Sequence, residues 1–247
     1  IVNIGLEGMM VIGTWFGAWA GWFYGPWYGV LAGLLGGALF GLIHAVGTIT
    51  FQVDHIVSGV AINILAAGVA RFLSVVAYAD VPAGGATQSP RVDERIEKIS
   101  IPYLSGGKIN ESDTADVFGS LEALDLFLIS DLFGLLGGLT RNISYFSILA
   151  VLLVPVSVWI LWSTSFGLQL RSVGEYPVGS ESVGVNVYLM KYIGVTISGA
   201  FAGLAGAYLV IESAGIYREG QTGGRGFIGL AAMIFGNWKP LGTFLGS

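Results

Sequence analysis

The chain has 247 residues, of which 54% are apolar and 11% charged, with a mean hydropathy of +0.75; soluble domains carry about 25% charged residues, so this composition belongs to an integral membrane protein. The formal net charge of −5 offers no basic surface for nucleic acid. With no cysteine and only His44 and His55, disulfides, thiol catalysis and the usual metal sites are excluded, and no cofactor is expected.

The first long apolar region, residues 8–53, contains no Asp, Glu, Lys or Arg and exceeds the ~20 residues that one helix needs to cross a bilayer. Gly25-Pro26 divides it, which predicts spans over 8–24 and 27–47. Trp22, Tyr24, Trp27 and Tyr28 gather around the break, as amphipathic rings do at a membrane surface. A further apolar run covers 56–79. Arg71 interrupts it, and such a charge either snorkels at a helix end or faces a polar interior.

Residues 80–141 form the one extended polar section, with ten acidic residues against five basic ones. Within it, 121–139 is apolar, but Glu122, Asp125 and Asp131 argue for an interfacial helix or hairpin over a span. A span over 142–166 follows, then a polar island at 168–191, then a span over 192–211. The charge-free stretch 226–238 has 13 residues, too few to cross, and reads as a half-helix that re-enters and leaves on one side.

Glycine accounts for 39 residues. The four-residue spacings at Gly29, Gly33, Gly37 and Gly41 and at Gly199 and Gly203 predict helices packed backbone to backbone, since no hydrophobic effect drives association within lipid. An internal echo joins residues 5–10 to 223–228: glycines flank a single charge, then an apolar run begins. Glycine-interrupted segments in two corresponding halves point to a transporter's midplane site. On this alignment Glu7 stands opposite Arg225.

The island at 168–191 has its own punctuation. Pro177 suits a first helical turn and Gly184 a left-handed stop, and residues 178–183 make about two turns with Glu181 and Ser182 exposed. Such a helix, held parallel to the membrane by two spans, is a handle for another protein. No GxxxxGK[ST] phosphate cradle and no nucleophile–base set is present, so the chain is not expected to be an enzyme or to hydrolyse ATP itself. Along the substrate pathway, Asn3, Glu7, Asp54, Ser58 and Asn63 are placed to hydrogen-bond a neutral polar solute, with Asn63 able to donate and accept at once. Phe227, Phe16 or Trp15 either stacks on a planar base or packs against core and lipid.

Four stretches carry a resemblance: NIGLEGMM at 3–10, DHIVSGVAINILA at 54–66, the segment LRSVGEYPVGSESVGVNVYLMK with the span after it, and TGGRGFIGLAAMIFGNWKPLG at 222–242. Together they resemble ABC-importer permeases of the branch serving nucleosides, simple sugars and branched-chain amino acids, most of all nucleoside permeases that work with a lipoprotein receptor of the basic-membrane-protein type. The resemblance implies an all-α polytopic bundle with broken or re-entrant helices, a cytoplasmic coupling helix and an inverted repeat, forming one permease domain over 1–247. It places 168–191 in the cytoplasm and 80–141 outside, in a prokaryotic cytoplasmic membrane.

Glu175, Pro177, Ser180, Glu181, Ser182 and Gly184 would then couple to an ABC ATPase. A second permease subunit, identical or different, and an extracytoplasmic substrate-binding lipoprotein would complete the assembly in the bilayer. Family members have at least one span before residue 1 and more after 247, so the chain is expected to be a fragment at both ends. The alternative is a secondary transporter driven by an ion gradient, with Glu7 or Asp54 as its coupling carboxylate. It has no use for the capped helix at 177–184.

Overall fold

The structure is a computed structural model that describes residues 2–93, 95–100, 106, 108–109, 112–113, 115–123 and 142–246. The chain divides into two compact units, residues 1–95 with 153–247, and residues 96–152. In the first unit α1 (Leu6–Tyr24) and α2 (Pro26–Ala45) meet at Gly25, whose φ of 99° turns the chain, and Pro26 occupies the first turn of α2, as the Gly-Pro break predicts. α2 runs on into a π-helical segment, Val46–Thr50. α3 (His55–Tyr78) is capped by Asp54, whose Oδ1 accepts from the N–H groups of Ile56 and Val57 at 2.9 and 3.1 Å.

α5 (Tyr145–Ser163), which counts with the first unit from Leu153 on, is followed by α6 (Ser165–Glu175), α7 (Pro177–Ser182) and α8 (Val187–Tyr208); α4 belongs to the other unit. A second π-helical segment, Leu209–Ala214, extends α8, and the short α9 (Arg225–Phe235) and α10 (Pro240–Leu245) end the unit. Pro26–Thr50, His55–Tyr78, Tyr145–Ser163 and Val187–Ala214 are long and apolar enough to cross a membrane. α1 has 19 residues but is not among them, because glycine and tryptophan replace the branched aliphatics. It is walled by protein instead: Met9, Ile12, Thr14, Trp15 and Ala18 are all nearly inaccessible. α9 has 11 residues and rises about 16 Å, short of the ~30 Å core, as the half-helix reading expects.

Glycine makes this packing possible. A methyl group at Gly37 would lie 2.3 Å from the Gly199 carbonyl oxygen, one at Gly203 would lie 2.2 Å from that of Gly33, and one at Gly13 would lie 2.3 Å from that of Gly203. α1, α2 and α8 therefore touch through their backbones, at the spacings that stand out in the sequence.

The start of the polar section belongs to this unit. Ser89 N–H donates to the Tyr217 carbonyl at 3.1 Å, Val92 N–H to that of Gly215 at 2.8 Å, and Glu219 N–H to that of Thr87 at 2.8 Å. Val92 is buried against the last turns of α1. Burial pushes the Tyr217 phenol up to about 12, the Glu219 carboxylate adds to the rise and a hydrogen bond with Ser74 opposes it, so Tyr217 stays neutral at physiological pH. Arg71 lies at the surface with its guanidinium 3.8 Å from the Glu219 carboxylate, an exposed pair in keeping with snorkelling.

The second unit holds two antiparallel strand pairs, β1 (Lys98–Ile99) with β4 (Ile143–Ser144) and β2 (Lys108–Ile109) with β3 (Ser112–Asp113), and the short helix α4 (Val117–Glu122) capped by Asp116. From residue 124 on, the interfacial element expected at 121–139 lies outside the described residues.

Gly203→Ala should cost about 1–3 kcal/mol through overpacking, read as a lowered midpoint of thermal unfolding in detergent. Gly68→Ala on α3 is the control, because a methyl group there meets nothing within 4 Å. It should leave stability unchanged or raised, and equal losses at both positions would refute backbone contact as the organising feature.

Candidate functional site

The broken-helix region is built by two side chains that satisfy backbone groups of neighbouring segments. An α-helix begins with four N–H groups that lack partners, and in apolar surroundings these need acceptors. For α1 the acceptor comes from α3: Asn63 Oδ1 accepts from Gly8 N–H at 2.7 Å, while its Nδ2 donates to the Ile4 carbonyl at 3.2 Å. For α9 it comes from α1: Glu7 Oε1 accepts from the Thr222 hydroxyl at 2.5 Å and Gly224 N–H at 2.9 Å, and Oε2 accepts from Gly226 N–H at 2.7 Å. A carboxylate at a helix N-terminus is also favoured by the helix dipole. Gly226 sits so close that a methyl group there would lie 2.6 Å from the Glu7 backbone.

The two echoing segments thus meet in space. No ion pair joins Glu7 to Arg225, although the alignment sets them opposite each other. The Arg225 guanidinium donates to the Gln221 and Thr222 carbonyls at 3.0 and 3.3 Å. Asn3 is buried, accepts from Gly5 N–H at 3.1 Å and donates to the Ser198 hydroxyl of α8 at 3.1 Å. Residues 3–8 are therefore held from three sides, by α3, α8 and α9.

Ser58 stands apart from this group. Its hydroxyl lies 2.8 Å from Nδ1 of the fully buried His44, whose Nε2 has no hydrogen-bond partner among the described residues. Phe227 is on the first turn of α9 with its ring 46% exposed, so it is not core. Asp54 is occupied as the α3 cap. The residues that the sequence reading did not single out are Thr222 and Ser198. Thr222 precedes the glycine pair, as a capping hydroxyl often precedes a helix; nothing in the sequence marks Ser198.

The polar island forms two helices, of which α6 was not expected. Thr164 caps it by accepting from Gly167 N–H at 3.1 Å, and Val173 packs with Val187 and Met190. α7 follows between the expected limits. Gly184 takes φ +87°, its N–H donates to the Glu181 carbonyl at 2.9 Å, and Val185 N–H donates to the Ser180 carbonyl at 3.0 Å, the paired bonds of a Schellman stop. Glu175, Glu181, Ser182 and Gly184 are exposed and Pro177 is half-buried. Ser180 turns inward, with its hydroxyl donating to the Tyr176 carbonyl at 3.0 Å, so a partner resting on this face does not reach it. Tyr176, Val178 and Val183 instead present apolar surface, at 66%, 68% and 79% exposure.

A bundle of apolar helices with a short broken helix and an exposed capped one defines a membrane transport subunit. Over residues 1–247 the chain matches the family described as branched-chain amino acid transport system / permease component, and it belongs to that family. It is 39% identical over 250 residues to the guanosine ABC transporter permease NupQ of Bacillus subtilis, covering 98% of this chain and 69% of that one. It is 35% identical over 254 residues to the nucleoside ABC transporter permease NupC of Lactococcus lactis, covering 100% of this chain and 70% of that one. A putative glucose ABC transporter permease of Haloferax volcanii, TsgC13, is 27% identical over 251 residues, covering 100% of this chain and 65% of that one. No solved structure matches.

The chain is thus a multi-pass permease subunit of the cytoplasmic membrane and not an enzyme. The ion-gradient alternative falls with this assignment, and both carboxylates proposed for it are committed to backbone N–H groups.

Glu7→Gln replaces one accepting oxygen with an NH2 group and removes the charge, which should cost about 1.5–3 kcal/mol. The loss should appear as a lower unfolding midpoint and faster hydrogen exchange at the amides of residues 224–226. Unchanged exchange there would show that Glu7 does not hold α9.

Proposed function

We propose that the chain is the translocating subunit of an ABC importer for nucleosides. The observation that carries this reading is similarity along the whole chain to permeases whose names specify guanosine and nucleosides, with the glucose permease more distant. In this reading 168–191 faces the cytoplasm and the polar section 80–141 faces outward, where a substrate-binding lipoprotein delivers its cargo. A second permease subunit completes the pore. Uptake of labelled guanosine and glucose by cells expressing the complete system tests the substrate class. Guanosine should accumulate with ATP dependence and glucose should not compete; the reverse preference refutes the proposal.

The ATPase contact is assigned to the exposed face of α7, with Glu181 and Ser182 flanked by Tyr176, Val178 and Val183. Support comes from the combination of a rigidly capped helix and solvent-facing apolar side chains, which suits insertion into a partner groove. Glu181→Arg should leave expression and thermal stability intact, because the side chain is exposed, and should abolish substrate-stimulated ATP hydrolysis and uptake together. A variant that imports normally rejects the assignment.

The route itself is assigned to the neighbourhood of Asn3, Glu7, Asn63 and Phe227, with residues 3–8 as its polar rim and Ser58 earlier along α3 on its His44 partner. The absence of native cysteine allows a clean test. In the assembled system, a single cysteine replacing Phe227 should react with a small thiol reagent, and guanosine under turnover conditions should slow the reaction several-fold. Equal rates with and without guanosine, in a variant that still transports, would exclude this segment from the route.

A further inference from the structure

A cavity of about 600 Å³ opens between α1, α5, α8, α9 and α10, at the scale of a small-molecule site. Its wall is almost wholly apolar: Met10, Leu153, Val154, Phe201, Met233 and Phe244 are representative. A nucleoside has ribose hydroxyls and base edges that need hydrogen-bond partners, and Ser157, Ser198 and Thr243 are the few hydroxyls there. Two of these are engaged within the protein, since Ser198 accepts from Asn3 and Thr243 donates to the Lys239 carbonyl. The polar complement suits a ligand that is mostly hydrocarbon.

Charge gives the second constraint. Among the described residues the lining includes Arg225 and Lys239 and no carboxylate. Arg225 is turned back onto the Gln221 and Thr222 carbonyls, whereas no carboxylate lies within ion-pair distance of Lys239 among the described residues. Lys239 follows Trp238, whose ring is 54% exposed, a pairing typical of side chains at the headgroup level. Around it α5 is apolar and almost entirely unburied, and Phe201 and Phe244 are exposed beside the cavity. Gly229 on α9 faces open space, since a methyl group there meets nothing within 4 Å.

We propose that this cavity binds an anionic phospholipid of the surrounding bilayer, with the headgroup phosphate on Lys239 and an acyl chain lying along α9 past Gly229. Charge complementarity and the hydrocarbon lining select this occupant together, as basic pockets between transmembrane helices select acidic lipids. The cavity borders the assigned route, since Leu6, Ser198, Arg225 and Gly226 line it, but its test does not use transport, so the two assignments fail separately.

The permease–ATPase complex, purified in detergent and delipidated, would be titrated with phosphatidylglycerol, phosphatidylcholine, inorganic phosphate or guanosine. Thermal unfolding and native mass spectrometry would be read for each. Phosphatidylglycerol should remain bound and raise the unfolding midpoint by several degrees, while the other three should not. Lys239→Gln should weaken phosphatidylglycerol binding at least five-fold, and Lys239→Arg should restore it. Gly229→Leu puts bulk into the acyl path from a Cβ position that meets nothing within 4 Å, so it should unfold like the parent without lipid and lose the increment with it. Equal stabilisation by phosphatidylcholine or by inorganic phosphate overturns the proposal. So does displacement of the lipid by guanosine, which would assign the cavity to the transport route. Failure of phosphatidylglycerol to bind at all, as when protein fills the groove, overturns it as well.

Discussion

The constraint on which this molecule depends is the backbone contact among α1, α2 and α8. Within lipid, burying an apolar side chain against another yields little, because the hydrocarbon outside is equally apolar; close van der Waals approach is what remains. Gly13, Gly33, Gly37, Gly199 and Gly203 bring three helix backbones to distances that no side chain tolerates. With both neighbours seated there, α1 is enclosed by protein and not by lipid. Its first turn is thereby fixed, and so is the Glu7 carboxylate that meets α9. The position of the half-helix is a consequence of glycines lying several turns away.

The same seam extends toward the polar island. α7 starts on Pro177 and closes on the Gly184 stop, and the cluster of Val173, Val187 and Met190 ties the polar island to the first turns of α8. α8 is in turn locked to α1 and α2 by glycine. Near those first turns, the Thr50 hydroxyl of the first π-helical segment pairs with the Tyr192 hydroxyl of α8. A push on α7 therefore enters a continuous chain of packed elements that reaches residues 3–8, where Asn3 bonds Ser198 of α8. The polar island and the broken-helix region share one helix.

Much of this architecture is legible in the residues. Charge-free runs mark the long helices, Gly25-Pro26 marks a turn, and Pro177 and Gly184 bracket α7, because proline and glycine carry backbone constraints that hold in any context. The four-residue glycine spacings name the tight interface without naming which helices form it. The partners of Glu7 and Asn63 are hidden for a physical reason: both bind main-chain N–H groups, which look alike at every non-proline position. The inward turn of Ser180 is equally invisible, since a two-turn helix with alternating small residues has no strong face. α6 escapes notice because its polar residues blend with the loop around it, although Thr164 and the Leu168, Leu170 and Val173 spacing fit a capped amphipathic helix. The π-helical segments at Val46–Thr50 and Leu209–Ala214 leave no sequence mark at all.

The bonds from Glu7 to Thr222, Gly224 and Gly226 bridge 215, 217 and 219 residues of chain. During synthesis the carboxylate enters the membrane with α1, long before its acceptor-seeking counterparts exist. Until residue 226 emerges, that negative group must be solvated by water or held in a transient shelter. Docking of α9 thus waits until the glycine pair has been made, and a ribosome that stalls before it would leave a charged, half-built bundle for quality control to recognise.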